Sequence, residues 1–179
     1  MSAYVFIAQS LDGFIAKKDG DIDWLIEIPN PEGSDWGFGE FMNMIDAVIM
    51  GRNTFEKVLS FDEWMYTKPL FVLSGSLKEI PKKLSGKAEI INGSPEEVIR
   101  KLNSMGYRNF YVDGGMTIQN FLKEDLIDEL IISTIPIILG SGIPLFGTIE
   151  RELKFEYVKT EVFDKRFTKS FYKRIRASQ

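Results

Sequence analysis

Short apolar runs alternate along the chain with segments in which apolar residues recur at helical spacing. Buried strands are predicted at residues 4–9, 47–50, 69–73, 88–91, 109–113 and 130–138. Helices are predicted to about residue 45 with Ser34 or Asp35 as the cap, and at about 53–59, 94–106 and 115–123. Because each helix lies between two strands, the pattern predicts a mostly parallel α/β sheet. Two polar-apolar strands at 154–163 and 169–174 have no helix between them and are expected to pair antiparallel at one edge.

The composition fits one compact domain and narrows its chemistry. The 179 residues, 44% of them hydrophobic, suffice for a single domain, 1–179, with a substantial core. The absence of cysteine and histidine excludes disulfides, cysteine nucleophiles, Ser-His-Asp triads and most zinc sites, so no metal is expected. Proton transfer then falls to carboxylates, Tyr, Lys or water, or the difficult step belongs to a cofactor.

Net charge and hydropathy limit the classes of binding partner that we expect for this chain. A formal net charge of −4 makes the chain a poor general ligand for nucleic-acid phosphates. No apolar stretch reaches the length of a membrane span, and the first residues lack the pattern of a signal peptide. We therefore expect a cytoplasmic protein with a small-molecule substrate and without nucleic-acid or membrane partners.

Three predicted strands end in a similar way. Each passes into a segment rich in glycine or small polar residues: Gly51-Arg52-Asn53-Thr54, Ser74-Gly75-Ser76 and Gly114-Gly115-Met116-Thr117. Ligands of open α/β sheets bind at the carboxyl ends of strands, where helix N-termini offer free amides to phosphates. A guanidinium beside serine hydroxyls suits a 2′-phosphate and favours NADPH over NADH. Because GxGxxG is absent, the alternative that these glycines merely end strands and start helices is about equally supported.

Several of these segments resemble a known family. VIMGRNTFE, FVLSGS and YVDGGMTIQNFL resemble segments of dihydrofolate reductases, in the same order. SLDGFIA and DELIISTIPIILGSGIPLF are more similar to the reductase domain of bacterial riboflavin biosynthesis proteins. The resemblance covers residues 3–146 and implies a dihydrofolate reductase-like, three-layer α/β/α fold with a mostly parallel sheet and an antiparallel C-terminal edge. It also implies a homodimer.

The resemblance further implies NADPH bound across the strand ends. Residues at matching positions fall into groups for the nicotinamide (Ala8, Ile15), the adenosine and phosphate side (Gly51, Arg52, Thr54), the adenine and ribose (Leu73, Ser74), and the pyrophosphate and approach to the nicotinamide (Gly114, Gly115, Met116, Thr117, Ile118).

Asp35 is the candidate catalytic acid, at the position where dihydrofolate reductases place a carboxylate. Its neighbours Trp36, Phe38 and Phe41 are expected to desolvate it and raise its pKa. The alternative, slightly favoured, is that Asp35 only caps a helix. Two weaker candidates are Glu40, which a solvated helix surface also explains, and Asp12, which an Asp-Gly turn also explains; Asp46 and Asp113 are interpreted as structural.

The sequence therefore predicts an NADPH-dependent reductase that transfers hydride to a small pteridine- or pyrimidine-like heterocycle. A genuine dihydrofolate reductase and a 5-amino-6-(5-phosphoribosylamino)uracil reductase remain alternatives. The Pro-Trp element of dihydrofolate reductases is not evident, and no basic residue is identified for a folate glutamate or a ribose phosphate. A nucleotide-binding protein that has lost the chemistry is the non-enzymatic alternative.

Overall fold

The computed structural model describes residues 1–61 and 63–176. The strands within these residues are β1 Ser2–Ser10, β2 Phe14–Ala16, β3 Ala47–Gly51, β4 Leu70–Leu73, β5 Ala88–Ile91, β6 Asn109–Asp113, β7 Glu129–Ile135, β8 Ile143–Pro144, β9 Phe155–Phe163 and β10 Phe167–Arg174. The α-helices are α1 Asp23–Ile26, α2 Phe38–Met44, α3 Arg52–Leu59, α4 Pro95–Ser104 and α5 Gly115–Lys123, with a 3-10 turn at Lys82–Leu84.

Eight strands form the central sheet, in the order β5-β4-β3-β6-β1-β7-β10-β9. The first six are mutually parallel, whereas β10 runs antiparallel to both β7 and β9. The predicted fold class, a mostly parallel sheet with an antiparallel C-terminal edge, is confirmed. The short strands β2 and β8 form a separate antiparallel pair.

The sheet is buried on both faces, which explains the continuous apolar runs in its parallel strands. One face packs against α4 and α5, through side chains such as Leu102 and Phe121. The other face packs against α2 and α3, through Phe41 and Phe55. Successive side chains of a strand point to opposite faces, so neighbours in the sequence belong to different layers of the core.

The helix signals near residue 94 form as predicted. Ser94 Oγ accepts from the amide of Glu97 at 3.3 Å, Glu97 Oε2 accepts from the amide of Ser94 at 2.8 Å, and Pro95 occupies the first turn. This reciprocal capping box satisfies two amides that the helix itself cannot bond.

Among the boundaries that differ from the prediction, two change the surroundings of candidate residues. The strand predicted at 130–138 ends at Ile135, where the amide of Ile137 donates back to the Ile135 carbonyl at 2.8 Å and turns the chain out of the sheet. Ile138 is consequently exposed. Helix α2 begins at Phe38 rather than directly after Asp35. The short elements β2, β8 and α1 carry too few residues for a periodic signal.

Strand β9 forms one edge of the sheet and exposes Tyr157, Val158 and Val162. An exposed edge can pair with another chain, but the homodimer remains a prediction. Within the described residues, none of the helices has both the length and the apolarity needed to cross a membrane.

A largely buried ion pair fastens β10 to the turn after α5. Arg174 Nε donates to Asp125 Oδ1 at 2.7 Å and Arg174 Nη2 donates to Asp125 Oδ2 at 2.9 Å. The two side chains are only 9% and 14% exposed. Such a two-pronged pair is costly to break because it leaves the guanidinium desolvated without a counter-charge.

We expect Asp125→Asn to lower the free energy of unfolding by about 3 kcal/mol, measured by urea denaturation. Asp164→Asn is the matched control, because Asp164 also has a positive φ, which Asn tolerates, yet pairs with Arg166 on the open surface. Its loss should stay below about 1 kcal/mol. Equal losses in the two variants would show that the Asp125 pair adds nothing specific.

Candidate functional site

The carboxyl ends of β3 and β6 lie side by side, and each leads directly into a helix. The two strands pair in parallel, with Met50 opposite Asp113, and α3 and α5 begin one or two residues later. No side chain caps the start of either helix within the described residues. The first amides of α3 and α5 thus remain available at this edge, in contrast to those of α4, which has a full capping box.

Two glycines bring these helix starts into contact. A Cβ added at Gly51 would lie 2.8 Å from Thr117 Oγ1, and one at Gly114 would overlap Thr54 Oγ1. Gly114 also has φ +88°, a conformation that residues with a Cβ rarely adopt. Thr117 of α5 therefore packs beside Gly51 before α3, and Thr54 of α3 packs beside Gly114 before α5.

The next predicted glycine faces the N-terminal part of the chain. A Cβ at Gly115 would lie 2.9 Å from Ile15 Cδ1 and 3.2 Å from Ile143 Cγ2. The structure thus brings Ile15 on β2 to the same edge as Gly114 and Gly115. Ala8 lies on β1, next to β6 in the sheet, and packs against a separate cluster that contains Trp24 and Phe167.

The Ser74–Ser76 loop, which follows β4, lies at the same edge, beside the first turn of α3. Arg52 Nη1 donates to Ser76 Oγ at 3.2 Å, and Arg52 Nε pairs with Glu56 Oε1 at 2.6 Å. Ser74 Oγ accepts from the amides of Ser76 and Leu77 at 3.2 and 3.0 Å, so its hydroxyl also shapes the turn. Arg52 remains exposed, with its guanidinium over the loop that follows β4.

The remaining predicted cofactor residues differ in accessibility. Met116 is 75% exposed in the first turn of α5. Leu73 ends β4 opposite Gly51, with its side chain against the core. Ile118 is fully buried in the core, and its amide already donates to the Gly114 carbonyl at 2.9 Å. Its side chain is therefore not presented at this edge.

Asp35 lies on the surface, in the turn before α2. Its carboxylate accepts from the amides of Gly39 at 2.8 Å and Gly37 at 2.9 Å. These two bonds lower its pKa below the ordinary value. The predicted rise in pKa is wrong, because the aromatic neighbours do not enclose the carboxylate and backbone amides stabilise its charge. The contacts are those of the alternative interpretation, a residue that organises the helix start.

Asp113, rather than Asp35, is a desolvated carboxyl with a raised pKa. It ends β6 directly before Gly114, and its oxygens accept from the Tyr66 hydroxyl at 2.9 Å and the Gly114 amide at 2.8 Å. Burial raises the pKa of Asp113, although both hydrogen bonds act in the opposite direction. A carboxyl with a raised pKa at a strand end is suited to hold a proton.

Other acidic candidates have structural partners. Asp12 accepts from the Ser10 hydroxyl at 2.6 Å and from the amides of Leu139 and Gly140, so it fastens the first turn to the segment after β7. Asp46 accepts from the amides of Arg108 and Asn109, both at 2.9 Å. The structural interpretation of Asp46 is thus confirmed by its contacts.

A buried lysine was missed by the sequence analysis. Lys169 on β10 is 2% exposed and lies near the loop that contains Asp35. The signal was present in the alternation of FTKSFYKR, which places Lys169 on the same face as Phe167 and Phe171.

Comparison with known proteins places this arrangement in a family. Residues 3–169 match the RibD C-terminal domain. The chain belongs to the RibD C-terminal domain family. It is 40% identical over 162 residues to the uncharacterized protein YwjB of Bacillus subtilis (strain 168), a match that covers 89% of this chain and 90% of YwjB.

Solved structures support the same assignment. The "Putative riboflavin biosynthesis protein" from Shewanella sp. PV-4 is 49% identical, with a TM-score of 0.94 over 98% of this chain and all 100% of that one. The diaminohydroxyphosphoribosylaminopyrimidine deaminase/5-amino-6-(5-phosphoribosylamino)uracil reductase of Thermotoga maritima is 19% identical, with a TM-score of 0.73, and this chain spans 56% of it. A dihydrofolate reductase from Enterococcus faecalis, complexed with NADP(H), is 17% identical with a TM-score of 0.66 over 97% of this chain and 96% of that one. The last two show the fold alone, and the predicted resemblance is confirmed.

In this RibD C-terminal domain, Gly114→Ala should lower the free energy of unfolding by about 2–4 kcal/mol, since it adds backbone strain to overlap with Thr54. Thr54→Ala in the same chain should recover part of the loss by removing the overlapping hydroxyl. Chemical denaturation of the wild type, both single variants and the double variant measures the coupling. Strictly additive losses would contradict the interlocking described above.

Asp113→Asn should raise the melting temperature at pH 7, because it removes the cost of a buried carboxylate. The gain should shrink as the pH falls from the raised folded pKa towards the ordinary value of 3.8, where wild-type Asp113 becomes neutral. Asp46→Asn is the control with the opposite sign: amide bonds lower the pKa of Asp46, so it stabilises the fold at pH 7 and loses that contribution in acid. Thermal melts from pH 3 to 8 that showed the same sign for both variants would contradict the burial of Asp113.

Proposed function

We propose that this protein is an NADPH-dependent reductase of a small pyrimidine- or pteridine-like heterocycle. The observation that carries the proposal is the pair of uncapped helix starts, α3 and α5, held side by side at neighbouring strand ends. Membership of a family of RibD-type reductase domains supports the same class of reaction.

The residues at this edge suit a dinucleotide diphosphate. Free amides at the first turns of α3 and α5 are donors for phosphate oxygens, and the positive ends of both helix dipoles favour an anion. Gly51, Gly114 and Gly115 let Thr117, Thr54 and Ile15 pack closely against this edge, which holds the two helix starts together. Ile15 and Ala8 would border the nicotinamide. When bound, NADPH supplies the hydride.

Arg52 and Ser76 are the proposed contacts of the 2′-phosphate. Their hydrogen bond places a guanidinium and a hydroxyl next to each other on the surface. The Glu56 carboxylate, 2.6 Å from Arg52 Nε, occupies the same guanidinium. We therefore expect Glu56 to weaken the binding of a phosphate at this position.

Asp113 is the proposed proton carrier, in place of Asp35. Its raised pKa and its position on β6, beside the strand of Ala8, suit a carboxyl that gives a proton to the reduced ring. Asp35 would instead position the turn before α2, because both of its oxygens are held by amides.

Fluorescence titration with NADPH, NADH and ATP tests the proposed cofactor. Wild-type protein should bind NADPH about tenfold or more tightly than NADH, because a charge-assisted hydrogen bond is worth at least that much. Arg52→Gln should remove the preference, and Glu56→Gln should increase the affinity for NADPH.

Lys101→Gln is the control for the change in net charge, since Lys101 lies at the far end of α4. It should leave all three affinities unchanged. If the wild type binds NADPH, NADH and ATP equally, or binds none of them, the proposed function is wrong.

A further inference from the structure

The ammonium group of Lys169 is buried without a carboxylate partner among the described residues. Only 2% of the residue is exposed, and no carboxylate oxygen within the described chain lies within 4.0 Å of Nζ. The nearest acidic neighbour along the sheet is Glu161, directly opposite on β9. Its carboxylate, however, pairs with Lys159 at 2.6 Å.

The groups that contact the amine are two aromatic rings and a backbone carbonyl, none of which carries a negative charge. Nζ lies 4.9 Å from the ring centre of Phe6 and 4.6 Å from that of Phe163. Its one hydrogen bond within the described residues goes to the backbone carbonyl of Trp36. Burial lowers the pKa of Lys169, while the more distant carboxylates of Glu161, Asp35 and Glu40 raise it and the Lys159 charge lowers it. A buried ammonium of this kind is costly unless an anion joins it.

The side chain of Lys169 extends towards the proposed reaction centre. Ala8, Ser133 and Lys169 form one row across β1, β7 and β10, so their backbones span two strand spacings, about 10 Å. The amine contacts the ring of Phe6, a residue of β1, on the far side of β7. Phe6 precedes Ala8 by two residues and therefore points to the same face.

The carbonyl that accepts from the amine belongs to Trp36, on an irregular loop before α2. Trp36 has φ +49°, an unfavourable conformation for a residue with a large side chain, and belongs to no helix or strand. A cavity of about 180 Å³ lies against the same loop, and both Trp36 and Phe163 line it. Lys169 itself does not line this cavity, but two residues that contact its amine, Trp36 and Phe163, do.

We propose that Lys169 binds an anionic ring oxygen of the substrate, an enolate or a deprotonated lactam, in place of the Trp36 carbonyl. The inference rests on the proposed reductase function and adds to it the charge of the substrate. Asp113 on β6 and Lys169 on β10 then approach the heterocycle from opposite sides of β1 and β7.

Titration of the purified full chain with two pyrimidines tests this assignment. Barbiturate is anionic at neutral pH, whereas uracil has the same ring and is neutral. Wild-type protein should bind barbiturate about tenfold or more tightly than uracil, with and without NADP⁺, because the ammonium adds a charge-assisted bond. Lys169→Met should abolish this preference and leave NADPH affinity unchanged.

Two further variants separate charge from mere support of the loop. Lys169→Gln retains an N–H donor for the Trp36 carbonyl but no charge, and should lose the preference as Lys169→Met does. Lys173→Met removes an exposed ammonium from the same strand, leaves the Lys159–Glu161 pair intact and should keep it. If wild type binds barbiturate no better than uracil, or if Lys169→Gln retains the preference, the inference is wrong. Failure of the reductase proposal would instead appear as absent NADPH binding, measured in the separate cofactor titration.

Discussion

Close contact between two strand-to-helix crossovers is the constraint on which the site depends. Thr117 lies where a side chain at Gly51 would be, and Thr54 lies where one at Gly114 would be. Because each contact involves one residue from each crossover, neither helix can shift along its axis without disturbing the other. The two sets of unbonded amides are therefore fixed relative to each other before any ligand arrives, which reduces the entropy lost on binding.

The pKa values of the charged side chains depend on how far each group is removed from water and on what bonds replace the water. Three acidic residues in different parts of the fold have different environments: Asp35 and Asp46 accept backbone amides and have lowered pKa values, whereas burial dominates at Asp113. Lys169 shows the same effect for the opposite charge. Functional sites commonly retain such unfavourable groups, and the rest of the core compensates for their cost.

The fold was largely predictable because its signals are local and repeated. The apolar run of β3, the capping box at Ser94 and the helix-free connection between the last two strands each indicate one element without tertiary information. The strand ends near Gly51 and Gly114 could be identified as a shared edge because parallel strands place their carboxyl ends together.

The chemistry of individual side chains was less predictable, because solvation depends on distant parts of the chain. Aromatic neighbours in the sequence suggested a buried Asp35, yet those rings turn to the sheet and leave the carboxylate outside. Asp113 is buried, and its hydrogen-bond partner Tyr66 is far away in the sequence, which no local pattern reveals. Alternation along β10 is consistent with Lys169 on the inner face, but only the structure shows that its amine lies between the rings of Phe6 and Phe163, while the opposite carboxylate of Glu161 pairs with Lys159.

The proposed cofactor edge and the amine of Lys169 come from different parts of the chain, because Lys169 lies on β10, between β7 and β9. The edge proposed for the cofactor is built mainly from residues 51–118, whereas the ammonium comes from a C-terminal hairpin that contributes nothing to that edge. Relatives could therefore exchange the hairpin, and with it the preferred substrate, while the crossovers remain unaltered. Diversification within such a family would then concentrate in the last two strands, and the hydride donor would stay the same.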